Sequence, residues 1–158
     1  MSKKLLVCVM AIASVFVLSG CEKKGNNNGG ETTTTAPAAN TLSCSIAVDG
    51  DTTRLSMTYE GDSITKASYS ESEKKASEAE AKKDYEKNQK EAAEYNKKKG
   101  VTCNVSYSGT LSSTSINFTV ASLDDDAKAL YNELFKDLNT KGYDDVKNTL
   151  TTLGYTCK

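Results

Sequence analysis

The sequence predicts an α+β domain: an antiparallel sheet of about five strands, in the order βββ-α-ββ-α-α, covered on one face by helices and preceded by a signal peptide and a disordered tether. Three observations predict it. Short runs alternate apolar and polar residues and are separated by Gly-containing turns, the pattern of half-buried strands joined as hairpins. A long Ala/Glu/Lys stretch with neither Gly nor Pro interrupts those runs. The C-terminal part then changes to apolar residues spaced i, i+4, i+8, the stripe of an amphipathic helix.

The chain opens with a short basic segment, Lys3 and Lys4, followed by an uncharged apolar run from Leu5 to Leu18. That run suits the apolar core of a signal peptide, and it is short of the roughly 20 residues a bilayer span needs. It closes on Leu18-Ser19-Gly20-Cys21, the lipobox pattern of bacterial lipoprotein precursors, and polarity begins at once with Glu22-Lys23-Lys24. Residues 1–20 are therefore expected to be a lipoprotein signal, with Cys21 the lipidated mature N-terminus. A single acyl chain holds a protein only marginally and two hold it stably. A diacylglyceryl group on Cys21 supplies two, so the membrane is the first expected partner.

Residues 21–40 are rich in Gly, Asn and Thr and hold the only proline, Pro37. Such a segment buries too little apolar surface to offset its ordering entropy and is read as a spacer with an average span on the order of 25 Å. The domain is read over 41–158. Leu42, Cys44, Ile46 and Val48 alternate with polar or small residues as a first strand, and Asp49-Gly50-Asp51 turns the chain. Leu55, Met57 and Tyr59 form a second strand, and Ile64 to Ser70 a third whose facing the pattern leaves open.

Glu71 to Lys99 reads as one long helix, dense in good helix formers and in Glu-to-Lys pairs at i, i+4. Its apolar stripe is thin, so its second half is expected on the sheet and its first half in solvent. A coiled-coil arm is the sharper reading, but large residues at the seam positions are missing. Gly100 ends the helix. Val101 to Tyr107 and Ile116 to Val120 are further strands. Asp124-Asp125-Asp126 opens a helix to about Leu138, and Tyr143 to Leu153 makes a shorter one, stopped by Gly154.

The chain carries 20 basic and 21 acidic residues; losing Lys3 and Lys4 with the signal leaves 18 against 21. No basic excess of the kind that binds nucleic acid is present. Arg54 is the only arginine, and the Lys and Asn content suits an AT-rich genome and a Gram-positive-type host. There is no His and no Trp.

Candidate chemistry is sparse. Asp124-Asp125-Asp126 lacks the spaced ligands and glycine of a calcium loop and is explained by the dipole of the helix it opens. Ser63-Ile64-Thr65-Lys66 and Ser72-Glu73-Lys74-Lys75 match Ser-x-x-Lys, but without its companion motifs. The first is expected on a strand, where residues three apart face opposite ways, and the second on a charged helix. Asn104-Val105-Ser106 and Asn117-Phe118-Thr119 match a glycosylation pattern inside expected strands. No phosphate loop and no Cys-x-x-Cys is present. No catalytic residue, metal or cofactor is expected.

Of five cysteines, Cys8 leaves with the signal and Cys21 carries lipid. Cys44, Cys103 and Cys157 remain, enough for one bridge and one thiol. The lipobox, Thr41-Leu42-Ser43-Cys44, Lys99-Gly100-Val101-Thr102 and Leu153-Gly154-Tyr155-Thr156-Cys157-Lys158, with the element order, resemble the YehR-like family of bacterial lipoproteins, and more closely small lipoproteins of gut Firmicutes and Mollicutes-type bacteria. That family has no established activity, so the resemblance implies fold and location and adds no chemistry. Its members pair a first-strand cysteine with one at the C-terminus, which implies a Cys44–Cys157 disulfide here. Cys103 departs from that pattern. It reads as a small buried hydrophobe, with a Cys44–Cys103 bridge as the rival. The expected function is that of a non-enzymatic, membrane-anchored extracytoplasmic lipoprotein that binds a protein, peptide or small ligand or supports the envelope. The alternative is a thiol-based redox protein or a hydrolase.

Overall fold

A computed structural model describes residues 40–158; residues 1–39, with the expected signal, Cys21 and nearly all of the tether, lie outside the described residues. The elements run β1 (Asn40–Val48), β2 (Asp51–Glu60), β3 (Ser63–Lys74), α1 (Glu78–Tyr95), β4 (Val101–Ser108), β5 (Leu111–Thr119), α2 (Asp125–Leu134), α3 (Tyr143–Thr152) and β6 (Thr156–Cys157), with a 3-10 turn at Val120–Ser122. The fold is α+β. The sheet order is β4-β5-β3-β2-β1-β6, and every neighbouring pair is antiparallel. The chain makes a three-strand meander, crosses over through α1 to the far edge, and returns as β5 between β4 and β3. Its last residues then close the opposite edge beside β1.

Alternation places one set of side chains under the helices. Leu42, Cys44, Leu55, Met57, Tyr59, Tyr69, Val101, Cys103, Ile116 and Phe118 are all buried, and they meet Ala81 and Ala92 of α1, Leu130, Tyr131 and Leu134 of α2, Phe135, and Val146 and Leu150 of α3. Phe118 is the hinge of this packing: its ring lies 5.6 Å from that of Tyr131 and 5.9 Å from that of Phe135. Tyr59 meets Tyr143 edge to face at 5.7 Å, fixing α3 over β2. Such ring pairs add to the burial of the rings themselves.

The third strand explains its own ambiguity. Tyr59 pairs with Ile64 and Thr58 with Lys66, so Thr65 is an extra residue in β3, a β-bulge. A bulge reverses the inward-outward parity. Ile64, Ala67 and Tyr69 are consequently all buried, although 64 and 67 have opposite parity. The same bulge turns Ser63 and Lys66 to one face, correcting the expectation that they point apart.

Several boundaries differ from the sequence reading. β5 begins at Leu111 rather than Ile116 and ends at Thr119, with Val120 in the 3-10 turn. β3 continues to Lys74 and α1 begins only at Glu78, so the first residues expected as helix are strand. Pairing of Glu71 with both β2 and β5, and of Glu73 with β5, overrides their helix preference. Ser72-Glu73-Lys74-Lys75 accordingly lies at a strand end, not on a helix. Ser77 caps α1 by accepting a hydrogen bond from Glu80 N at 3.3 Å, and the helix ends at Tyr95 rather than Lys99. Ala81, in its first turn, is as completely buried as any residue of the core, so both halves of α1 pack on the sheet. α2 stops at Leu134 rather than Leu138, where the chain turns through a positive φ at Asp137, although Leu138 itself remains buried. The sixth strand, Thr156–Cys157, was not expected at all.

The open edge at β4 is blocked by a side chain. Asn96, just past α1, donates from Nδ2 to Cys103 O at 2.9 Å and accepts from Cys103 N at 2.7 Å on Oδ1. Its amide thus stands in for a neighbouring strand at the middle of an exposed edge, where unpaired groups would template association. Asn96→Ala is expected to cost about 1–2 kcal/mol, because both Cys103 backbone groups lose their partner. Sedimentation at rising concentration should also show more self-association than the parent chain, and equal sedimentation would remove the edge-guarding role.

Candidate functional site

Among the described residues the helices cover one face of the sheet and leave the other open. The register aligns the outward residues into rows. One row runs Thr102, Asn117, Ser68, Ser56, Ser43, and the next Asn104, Ser115, Ser70, Arg54, Ser45, Thr156. On either side lie Thr119, Lys66, Thr58, Thr41 and Ser106, Ser113, Ser72, Thr52, Ala47. Every position in these four rows is Ser, Thr or Asn except Arg54, Lys66 and Ala47. Glu60 and Lys74 stand beyond the rows, at opposite ends of the sheet.

Neighbouring hydroxyls bond across strands: Thr41 to Thr58 at 3.1 Å, Ser43 to Ser56 at 3.2 Å, and Ser72 to Ser113 at 2.7 Å. Asn117 donates to Thr102 O at 3.4 Å. Two shallow hollows open on this face. One, of about 280 Å³, is lined by Ser56, Thr58, Lys66, Ser68, Asn117 and Thr119 among others. The second, of about 140 Å³, is lined by residues that include Ser70, Ser72, Asn104, Ser106, Ser113 and Ser115. Serine is a modest strand former beside Thr or Val. Its small side chain leaves the strands bare enough for a ligand to lie close to them. Both glycosylation-like tripeptides fall here, since Asn and Ser or Thr two apart share a face of any strand.

The covered face holds a second polar group, beneath α1. Lys75 Nζ pairs with Glu73 and lies 3.2 Å from Asp84 Oδ2, while Asn88 Nδ2 donates to Asp84 Oδ2 at 3.2 Å and to Thr114 Oγ1 at 3.4 Å. Burial works against the charged Lys75 ammonium, but Glu73 and Asp84 outweigh it and hold its pKa above the ordinary value. Glu71 is pushed up from 4.5 by burial and then by Glu73, against a hydrogen bond from Tyr69 OH at 3.3 Å. A carboxylate whose folded pKa is raised favours the fold when protonated. Its contribution is full below 4.5 and is lost as pH rises through the folded value. Glu71→Gln is therefore expected to raise the unfolding midpoint at pH 7 and to leave it little changed at pH 4. A midpoint at pH 7 that stays put or falls would show that the Glu71 carboxylate is stabilising when charged.

The cysteines separate cleanly. Cys44 and Cys157 face each other across β1 and β6 and are joined as a disulfide. The flanking pair, Ser43 and Lys158, exchanges both backbone hydrogen bonds, at 3.1 and 2.9 Å. Cys44 and Cys157 thus occupy a non-hydrogen-bonded pair, the register that brings facing side chains closest. Cys103 is a buried thiol on β4, raised to about 11 by burial and then by Glu91. A thiol so protonated is a poor nucleophile at neutral pH. The Cys44–Cys103 bridge is not formed.

Asp124 caps α2, accepting from Ala127 N and from Lys99 N, each at 2.8 Å. These two backbone bonds hold its carboxyl below the ordinary value, and Asp125 and Asp126 occupy the first turn. The triplet thus joins the β4 approach to α2. Asp49 and Asp62 sit at hairpin turns on opposite ends of the sheet and do not converge. Among the described residues, no group of three His, Cys, Asp or Glu side chains is placed to hold a metal ion.

No family model matches this chain, and no curated protein does. Two solved structures are similar to it: an NMR structure of a protein from Streptococcus pneumoniae TIGR4, and an NMR structure of the E. coli YehR protein. Each has a TM-score of 0.58 at 16% identity. The first match covers 90% of this chain and 100% of the pneumococcal chain, and the second 78% and 93% of YehR. The chain therefore has a YehR-like fold. At such identity the likeness concerns the fold alone.

Proposed function

We propose that the protein is a membrane-anchored extracytoplasmic lipoprotein whose domain binds a ligand on its open sheet face and performs no catalysis. The observation that carries binding is that face: hydroxyls and amides in register on a sheet, uncovered by any helix of the described residues. The disulfide between Cys44 and Cys157 supports an exported location, because such bonds persist in oxidising compartments. The lipobox ending at Cys21 supplies the anchor. The buried, protonated Cys103 gives the redox alternative no accessible thiolate.

The location is tested by Cys21→Ala in the full chain. Lipid labelling should vanish, the signal should remain attached, and the protein should leave the washed membrane fraction. Unchanged labelling and retention would sink the anchor. The binding face is tested by placing a photo-crosslinking residue at Ser70 or, as control, at Glu86 on α1, in intact cells. Capture from position 70 and not 86 is expected, and equal yields would remove the face from consideration.

A further inference from the structure

The charge on the open face differs from that of the chain that builds it, and the difference selects a ligand. At the chain's overall 26% charged content, with acids slightly in excess, about a quarter of the face would be charged and half of that acidic. Its four rows instead carry Arg54, Lys66 and no acid; Glu60 stands on this side beyond the rows, at the end of the sheet, and the other described acids collect on the helices, the turns and the covered side. Both cations are exposed. Arg54 is the sole arginine of a lysine-rich chain, and its planar fork, unlike an ammonium, can pair with phosphate through two bonds.

We propose that this face takes a phosphate-bearing, polyhydroxylated polymer of the glycan or polyol type, laid flat over Arg54 and Lys66. The proposal rests on the reading of this face as the binding surface. Arg54 on β2 and Lys66 on β3 stand two rows apart, roughly 14 Å by strand geometry. A small anion reaches one of them, whereas an extended chain of repeating anions reaches both. Between and beside them the hydroxyls can donate to and accept from a hydroxylated backbone at many registers.

Other occupants fit less well. A protein partner needs an apolar, often aromatic centre to its interface, and the largest apolar side chain in the four rows is Ala47. A neutral glycan would leave both cations unused and finds no aromatic ring to stack on. Single-stranded nucleic acid relies on stacked aromatic side chains as well as charge, and they are missing here too.

The test uses the mature protein from Cys21, lipid included, in detergent micelles, titrated calorimetrically with poly(glycerol phosphate), dextran and an oligothymidine. Poly(glycerol phosphate) should bind, and more weakly as salt is raised. Arg54→Gln and Lys66→Gln should each weaken it about tenfold, the worth of one charge-assisted hydrogen bond. Ser70→Asp, which puts an acid at the centre of the face, should weaken it at least as much, and Lys87→Gln on α1 should not. Circular dichroism checks that each outward-facing variant keeps its fold. Absence of binding, equal binding of dextran or oligothymidine, salt-independent affinity, or indifference to both Arg54→Gln and Lys66→Gln would each overturn the proposal. Capture of a protein from position 70 would overturn it while leaving the face as the binding surface; equal yields from positions 70 and 86 would remove that earlier reading instead.

Discussion

Replacing Cys44 and Cys157 together by alanine is expected to lower the free energy of unfolding by about 4–5 kcal/mol. The bond joins residues 113 apart, and cross-linking a loop of that length removes about that much entropy from the unfolded chain on the chain-entropy account. Cys44 is also among the most buried residues, so a small packing loss adds to the effect. Typical domains hold only about 5–15 kcal/mol in total, so the variant should sit near the edge of folding at 37 °C. Urea unfolding with and without reductant measures this: the reduced parent should fall to the level of the double variant. A reductant-insensitive midpoint would show that the bond contributes nothing. Amide exchange at Lys158 should rise in parallel, since β6 has only two residues to hold it.

Phe118→Ala is the second large effect, expected to cost about 3–5 kcal/mol. The side chain is 2% exposed and stands between the sheet and α2, touching the rings of Tyr131 and Phe135, which themselves lie 5.2 Å apart. Deleting it opens a cavity under α2 and removes two of the three ring contacts in that cluster. Phe118→Leu keeps most of the volume without the ring and should cost about 1.5 kcal/mol or less. Calorimetry on both variants separates packing from ring-to-ring attraction. Equal losses would assign the effect to the ring geometry, and a loss under about 1 kcal/mol in the alanine variant would show that α2 is held elsewhere.

The parts of the fold that the residues announce are those with a long, uniform period. Leu42 to Val48, Leu55 to Tyr59 and Val101 to Tyr107 alternate without interruption, and each is a strand. Leu130 and Leu134 mark α2, and Val146 and Leu150 mark α3. The parts hidden in the sequence are those where a tertiary contact wins over a local preference. Ser70-Glu71-Ser72-Glu73 does alternate, but its glutamates favour helix, and only the two neighbouring strands decide the matter. Thr65 has nothing in its chemistry to announce a bulge. Thr156-Cys157 is too short to show any period. The open face was legible position by position, as the polar half of each strand. Its continuity was not, because aligning Ser43, Ser56, Ser68, Asn117 and Thr102 requires the order in which the strands assemble.

The pairing of β1 with β6 also has a mechanical meaning. Cys44 lies close behind the first described residue and Cys157 next to the last, so the bond between them short-circuits nearly the whole domain. Tension applied between the two ends of the described chain would pass through Cys44 and Cys157, loading only the few residues outside them. Everything between is a closed ring hanging from one covalent link. With the opposing force at the other end, a pull on the chain ahead of Asn40 can peel β1 no further than Ser43 before that link takes the load.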